Sequence, residues 1–282
     1  MRLPGAGWIA GLSPRRQKFY AGTSAALAAL ATLSGLQAAG AFARPTAGLD
    51  TAVPGTVLLV PGYGGDTGAL NLLAARIREL DRSAVVVRLP GNGTGDLQAQ
   101  ATVLNGYVNR ALQRLNAPVD VIGYSAGGVV ARLWDIQDNG AQKARRIITL
   151  GSPLHGTRIA AAGNAADPGA CPAACQELVP GSRLLDQLKK ASFAGRPSWL
   201  SVWTMDDQVV RPPTSALLPG AVNFPLQAVC PDAVIQHGDL PTNSLVIGLV
   251  LHALGPGPLT VPGILDCASL QALGSGEING RS

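Results

Sequence analysis

The chain has 282 residues, 47% of them hydrophobic and only 14% charged, with a mean hydropathy of +0.23. That supplies apolar surface for a sizeable core and excludes a disordered chain or a coiled coil. The net charge of +5 and the pI of 9.3 come mainly from residues 1–43, which hold four basic groups (Arg2, Arg15, Arg16, Lys18) and no acid, leaving 18 basic groups against 17 acidic ones beyond them. A nucleic-acid surface needs clustered cations on the folded domain. The one tight cluster, Lys143, Arg145 and Arg146, reads as a solvated helix end, so no nucleic-acid partner is expected.

Phe19 to Ala43 carries no charge, follows Arg15, Arg16 and Lys18, and ends in Ala41-Phe42-Ala43. Basic region, apolar run and small-residue cleavage site are the three parts of a secretory signal. Residues 1–43 are therefore expected to be removed as a signal peptide, giving a secreted chain that begins at Arg44. The length of the apolar run keeps an uncleaved, extracytoplasmic N-terminal anchor as the alternative. All four cysteines lie beyond this leader, and an even count in an exported chain points to disulfides. Cys171 and Cys175 share one loop and are expected to pair, leaving Cys230 for Cys267. A zinc site is the weaker reading, because no His neighbours either pair at ligand spacing.

A linker over 44–52 leads into the folded part. Thr56–Val60 reads as a buried strand stopped by Pro61-Gly62. Thr67–Leu80 has apolar residues at helical spacing, and Ser83–Leu89 is a second β-branched run. Leu97–Leu115 is a long amphipathic helix. A third strand, Val119–Gly123, runs into a helix over about 126–136. Arg146–Leu150, Trp199–Thr204 and Val222–Leu226 are further strands, and Ser244–Leu254 is the final helix. Short apolar strands alternating with helices imply a mostly parallel sheet of about six strands with helices on both faces. Function in such sheets sits at the C-terminal strand ends.

The strand-end segments carry the chemistry. Gly123-Tyr124-Ser125-Ala126-Gly127 matches G-x-S-x-G where a strand meets a helix, as a nucleophile elbow requires. A serine nucleophile needs a base, and the base an orienting acid. Of the three histidines, His155 follows the fourth strand and His252 sits in the last turns of an apolar helix. Only His237 completes the order serine, acid, histidine with a strand-end acid between. That acid is Asp206 or Asp207, after the fifth strand. Adjacent side chains point different ways, so one should face the imidazole and the other solvent. The oxyanion donors are the backbone N–H of Ala126, after the nucleophile, and that of Tyr63 in the Gly-rich loop 61–66. Gly91-Asn92-Gly93-Thr94-Gly95 matches neither a dinucleotide fingerprint nor a P-loop and reads as a loop near the pocket rim. Ile159–Pro180, which holds Cys171 and Cys175, reads equally as a partial cover of the acyl site or as a stapled surface loop.

The segments VLLVPGYGGD (57–66), DVIGYSAGGVVARLW (120–134), TLGSPLHGT (149–157), WTMDDQVVRPPTS (203–215) and QHGDLPT (236–242) resemble secreted actinobacterial lipases of the α/β-hydrolase superfamily. The resemblance spans about residues 53–268 and keeps the motifs in order. It implies a minimal α/β-hydrolase fold, with 269–282 as a C-terminal tail. It implies Ser125, Asp207 and His237 as the triad, the acid being the one before x-V-V-x-P, and Tyr63 and Ala126 as oxyanion donors. The implied activity is serine ester hydrolysis, with triacylglycerol lipase as the leading form. The same residues would serve a polyester depolymerase, a short-chain carboxylesterase or a cell-envelope acyltransferase, and a non-catalytic binding protein could use the scaffold. No metal or organic cofactor is expected. The expected partner is a lipid or other ester substrate, met by a monomer at a lipid interface. Pro61 departs from the pattern, since many relatives place His there; a backbone donor survives that change.

Overall fold

A computed structural model describes residues 54–193 and 195–277, together with Leu49. The expected leader, and all of the expected linker except Leu49, lie outside the described residues. The described residues form six strands: β1 (Val57–Val60), β2 (Ala84–Val86), β3 (Val119–Tyr124), β4 (Ala144–Leu150), β5 (Ser198–Trp203) and β6 (Val222–Pro225). They form one sheet in the order β2-β1-β3-β4-β5-β6, and every neighbouring pair is parallel. Parallel neighbours need crossovers. The first four are supplied by α1 (Gly68–Arg78), α2 (Leu97–Leu115), α3 (Ala126–Gln137), and α4 (Arg158–Ala166), α5 (Ala173–Glu177) and α6 (Arg183–Lys190) in series, while β5 reaches β6 through 204–221, whose one short helical turn is the 3₁₀ segment Pro213–Ala216. Helices α7 (Ser244–Ala253) and α8 (Cys267–Ser275) follow the last strand.

The strands are apolar on both faces because both are covered, and their period of two divides the core. Val57, Leu59, Ile122, Ile148, Leu200 and Val202 pack in a cluster with α1 and α7. Leu58, Val60, Val121, Ile147 and Trp199 pack in another with α2, α3 and α6. The chain runs outward from β1 to the edge strand β2 and returns to place β3 on the other side of β1. The topological switch therefore lies between β1 and β3, where a crevice opens at the strand ends.

Three expectations are corrected. The second strand pairs only over Ala84–Val86, not Ser83–Leu89. As an edge strand it has one neighbour, and after Val87 donates to the Leu59 carbonyl at 2.8 Å the chain turns at Pro90. Arg145 and Arg146 belong to β4 and are not a solvated helix end. Arg145 pairs with buried Asp120, which also takes Arg82, and Arg146 donates to the carbonyls of Ala253 and Gly257. These cations are thus held by acceptors at the N-terminal end of the sheet.

The third correction concerns the segment from 269 onward, expected as a tail: it is helical as far as Ser275. Helix α7 is apolar on almost every face, so the sheet alone cannot bury it. Helix α8 covers the remainder at backbone contact. A Cβ at Gly248 would overlap the Leu270 carbonyl, and one at Gly274 would overlap the Ser244 carbonyl. Among the described residues, no helix is long and apolar enough to cross a membrane.

The cysteines form two disulfides, Cys171–Cys175 and Cys230–Cys267, with sequence separations of 4 and 37. The zinc alternative is thereby displaced. The second bond ties the start of α8 to the segment that leads into His237. Closing the longer loop is worth roughly 3–4 kcal/mol in the chain-entropy model, against about 2 kcal/mol for the shorter. Thermal melts should accordingly show a larger loss for Cys230→Ala with Cys267→Ala than for Cys171→Ala with Cys175→Ala. Equal melting points would remove the longer bridge as the anchor of α8.

Candidate active site

Ser125 stands between β3 and α3 with φ 53° and ψ −128°. Such a conformation costs a non-glycine residue about 1–3 kcal/mol and persists only where the surroundings impose it. Here β3 and α3 press together on either side. A Cβ at Gly127 would overlap the Val60 carbonyl, and one at Gly123 would collide with the backbone of Gly127 and Gly128. The glycines of the motif are thus spaces into which the neighbouring backbone fits. The resulting turn holds Ser125 at the C-terminal end of β3, 9% exposed.

His237 opens a short 3₁₀ turn, His237–Asp239, in the connection between β6 and α7. Its Nε2 lies 2.9 Å from Ser125 Oγ and its Nδ1 lies 2.7 Å from Asp207 Oδ2. An ionised carboxylate only accepts, so Nδ1 carries the proton and Nε2 accepts from the serine hydroxyl. Asp207 is fully buried. Its other oxygen, Oδ1, accepts from the backbone N–H groups of Val209 at 2.9 Å and Val210 at 2.7 Å. The acid is therefore fixed by its own loop while its second oxygen faces the imidazole.

Asp206 is exposed but is not simply solvated. Its Oδ2 accepts from Gln227 Nε2 at 3.1 Å and from the Ile235 N–H at 3.2 Å, two residues before His237. One carboxylate of the pair meets the histidine ring, and the other holds the strand of chain that delivers it. His155 and His252 do not join the cluster: His155 Nδ1 faces the Ser215 carbonyl at 3.1 Å, and His252 is exposed on α7.

The loop after β1 reaches the serine through Gly62. A Cβ there would meet Ser125 Cβ at 2.8 Å and Oγ at 3.3 Å, so only glycine admits this approach. Tyr63 follows immediately, and Ala126 begins α3, where the first-turn N–H groups have no intrahelical acceptor. The Gly91–Gly95 loop packs against this turn, with Gly93 lying close to the Gly62 carbonyl and the Gly65 backbone. In the segment Ile159–Pro180, the Ala174 N–H donates to the Thr94 carbonyl at 3.1 Å, and Glu177 accepts from the Leu97 N–H at 2.8 Å. Burial pushes the Glu177 carboxyl above its ordinary pKa. The stapled segment is thus attached to the rim through residues 94–97.

Three supporting residues lie within the motif segments but were assigned no role from sequence. The Tyr124 hydroxyl donates to the His237 carbonyl at 3.1 Å, and the two rings lie 5.3 Å apart. Burial first, then the Asp207 charge, pushes the Tyr124 pKa up to about 12, so the hydroxyl keeps its proton. Gln208 Oε1 accepts from the His237 N–H at 3.3 Å. Thr157, the N-cap of α4, donates through Oγ1 to the Val209 carbonyl at 2.7 Å and accepts from the N–H groups of Arg211 at 3.0 Å and Ile159 at 3.3 Å. The variable positions of G-x-S-x-G and the threonine ending TLGSPLHGT were the available signals. Both needed the fold to show what they reach. Thr157→Val removes all three bonds while keeping the volume. It should destabilise the chain by about 1–3 kcal/mol, read as a lower urea midpoint. An unchanged midpoint would detach Thr157 from the acid loop.

A six-stranded parallel sheet with a strained serine at the switch point, a histidine and a buried aspartate defines an α/β-hydrolase. The family model described as "Alpha/beta hydrolase family" matches residues 57–265, and the chain belongs to that family. A sequence search of curated proteins returns no match. Among solved structures, lipase B of Aspergillus fumigatus is similar at TM-score 0.60 and 18% identity, over 82% of this chain and 63% of that one. Lipase BlEst2 of Bacillus licheniformis, in its mature form, is similar at TM-score 0.52 and 20% identity, over 62% of this chain and 85% of that one. One of the metagenome-derived lipolytic enzymes LipS and LipT gives TM-score 0.55 and 17% identity, over 71% of this chain and 94% of that one. The chain thus spans under two thirds of the Aspergillus lipase, and these likenesses are of fold.

Proposed function

We propose that the protein is a serine carboxylic ester hydrolase, with a triacylglycerol-type lipid ester as substrate. The observation that carries this reading is the hydrogen-bonded series Ser125–His237–Asp207, set in a strained elbow beside the Gly62 loop. His237 takes the hydroxyl proton as Ser125 Oγ attacks the ester carbonyl, and Asp207 stabilises the imidazolium that forms. The N–H groups of Tyr63 and Ala126 receive the oxyanion. His237 then protonates the departing alcohol. Water activated by the same imidazole cleaves the acyl-enzyme to the free acid.

A lipid substrate is favoured by the side chains around the site. Tyr63, Ile159, Met205 and Val209 are all exposed, and each lies on a loop or helix end that contributes to or borders the triad. Their apolar surface suits an acyl chain or a lipid interface. The two disulfides accord with an exported protein, with residues 1–43 as the removed signal.

Nitrophenyl esters from acetyl to palmitoyl, assayed alongside fluorophosphonate labelling, test this reading. Labelling that Ser125→Ala abolishes, with kcat/KM rising towards the longer acyl chains, is the expected result. A preference for acetyl would make the enzyme a short-chain esterase. Absence of both labelling and turnover would overturn the catalytic reading.

A further inference from the structure

Away from the triad, a cavity of about 290 Å³ lies between α3, α6 and the loops carrying His155 and Leu218. Its distinguishing feature is Arg132, which lines it although only 3% exposed. Nη1 donates to Asp135 Oδ2 at 2.9 Å, while among the described residues neither the buried Nε nor Asp135 Oδ1 has a hydrogen-bond partner. The guanidinium carbon sits 5.2 Å from the Phe193 ring centre and 5.7 Å from that of Trp199. Asp135 is fully buried and is shared with Arg196, whose Nη1 lies 3.6 Å from Oδ1. One carboxylate therefore faces two guanidinium groups, and the cluster holds one positive charge in excess. Burial outweighs Asp135 and keeps the Arg132 pKa below its ordinary value.

The remainder of the lining supports the same chemistry. Lys189 and His155 are exposed beside the cavity, and among the described residues no Asp or Glu lines it. Leu188, Phe193 and Leu218 supply apolar walls. A buried cation with incomplete compensation is costly, and an anion reaching it removes that cost. A guanidinium fork matches a carboxylate, and the leucine and phenylalanine walls match a hydrocarbon chain.

We propose that this cavity is a second binding site, for a medium-chain carboxylate whose head pairs with Arg132 and Lys189 and whose alkyl chain lies against Leu188, Phe193 and Leu218. The ligand class follows from the cavity alone and does not depend on the ester hydrolysis proposed above. Occupancy completes the charge balance of the Arg132–Asp135–Arg196 cluster.

Isothermal titration of octanoate, hexanoate, octanol and inorganic phosphate into the full chain carrying Ser125→Ala tests this without turnover. Octanoate should bind about tenfold or more tightly than octanol or phosphate, because both head and chain are needed. It should bind more tightly than hexanoate by up to about fourfold for each added methylene that is buried. Arg132→Met should weaken octanoate at least about tenfold. Should that variant fail to fold, Lys189→Glu, a surface change on α6, should still weaken octanoate several-fold with an unaltered circular dichroism spectrum. Equal affinities for octanoate and octanol would overturn the proposal. So would phosphate binding as tightly as octanoate, an unchanged octanoate affinity in Lys189→Glu, or no octanoate binding at about 10 mM, a free energy weaker than about 3 kcal/mol.

Discussion

Ser125→Ala is expected to reduce ester hydrolysis by roughly 10⁴- to 10⁶-fold in kcat, as removal of a serine nucleophile does where histidine and oxyanion donors remain. The fold should survive. Ser125 Oγ touches His237 Nε2 at the mouth of the crevice and carries no packing role in either core cluster. The backbone strain at φ 53° is imposed by β3, α3 and the Gly62 loop, so alanine will be held in the same conformation. A matched melting temperature, together with loss of fluorophosphonate labelling, checks both halves of this expectation. A variant that keeps more than a few per cent of activity would place the nucleophile elsewhere.

The second large effect separates the adjacent carboxylates. Asp207→Asn should lower kcat by about 10⁴-fold, because the amide nitrogen facing Nδ1 only donates, which drives the imidazole into the wrong tautomer, and the charge that stabilises imidazolium is lost. Its Oδ1 contacts to the Val209 and Val210 N–H groups can persist through the amide oxygen, so the loop should stay in place. Asp206→Asn should be milder, tens-fold at most. It weakens the bond to the Ile235 N–H and perturbs where His237 sits, but leaves the imidazole its partner. Comparing kcat for the two variants under saturating ester decides the assignment. A larger loss for Asp206→Asn would reverse the roles.

How much of this was legible beforehand differs from element to element. The apolar runs at Val57–Val60, Val121–Ile122 and Ile147–Ile148 announce a covered parallel sheet, because strands buried on both faces read as near-continuous hydrophobic runs. The glycines around Ser125 announce a strand and helix in backbone contact. From the residue chemistry alone the acid was legible only to the level of a pair, and the family resemblance singled out Asp207. Asp206 and Asp207 are adjacent and chemically identical, and what distinguishes them is which side chain turns inward at the end of β5.

Local sequence determined most of the strands, the helices α1, α2, α3 and α7, the nucleophile elbow and the three residue types needed for acyl transfer, because each rests on periodicity or on contacts within a few positions; it did not mark α4, α5 and α6. Tertiary structure alone decided what depends on distant backbone. It made the Cys267 segment a helix, since α7 has more apolar surface than the sheet can cover. It turned Arg145 and Arg146 inward to Asp120 and the carbonyls following α7, where a count of charges would leave them in water. It also joined Ser125 to His237 across 112 residues and His237 to Asp207 across 30. Those separations carry no local signature, because parallel crossovers of different lengths bring strand ends together only once the whole sheet has formed.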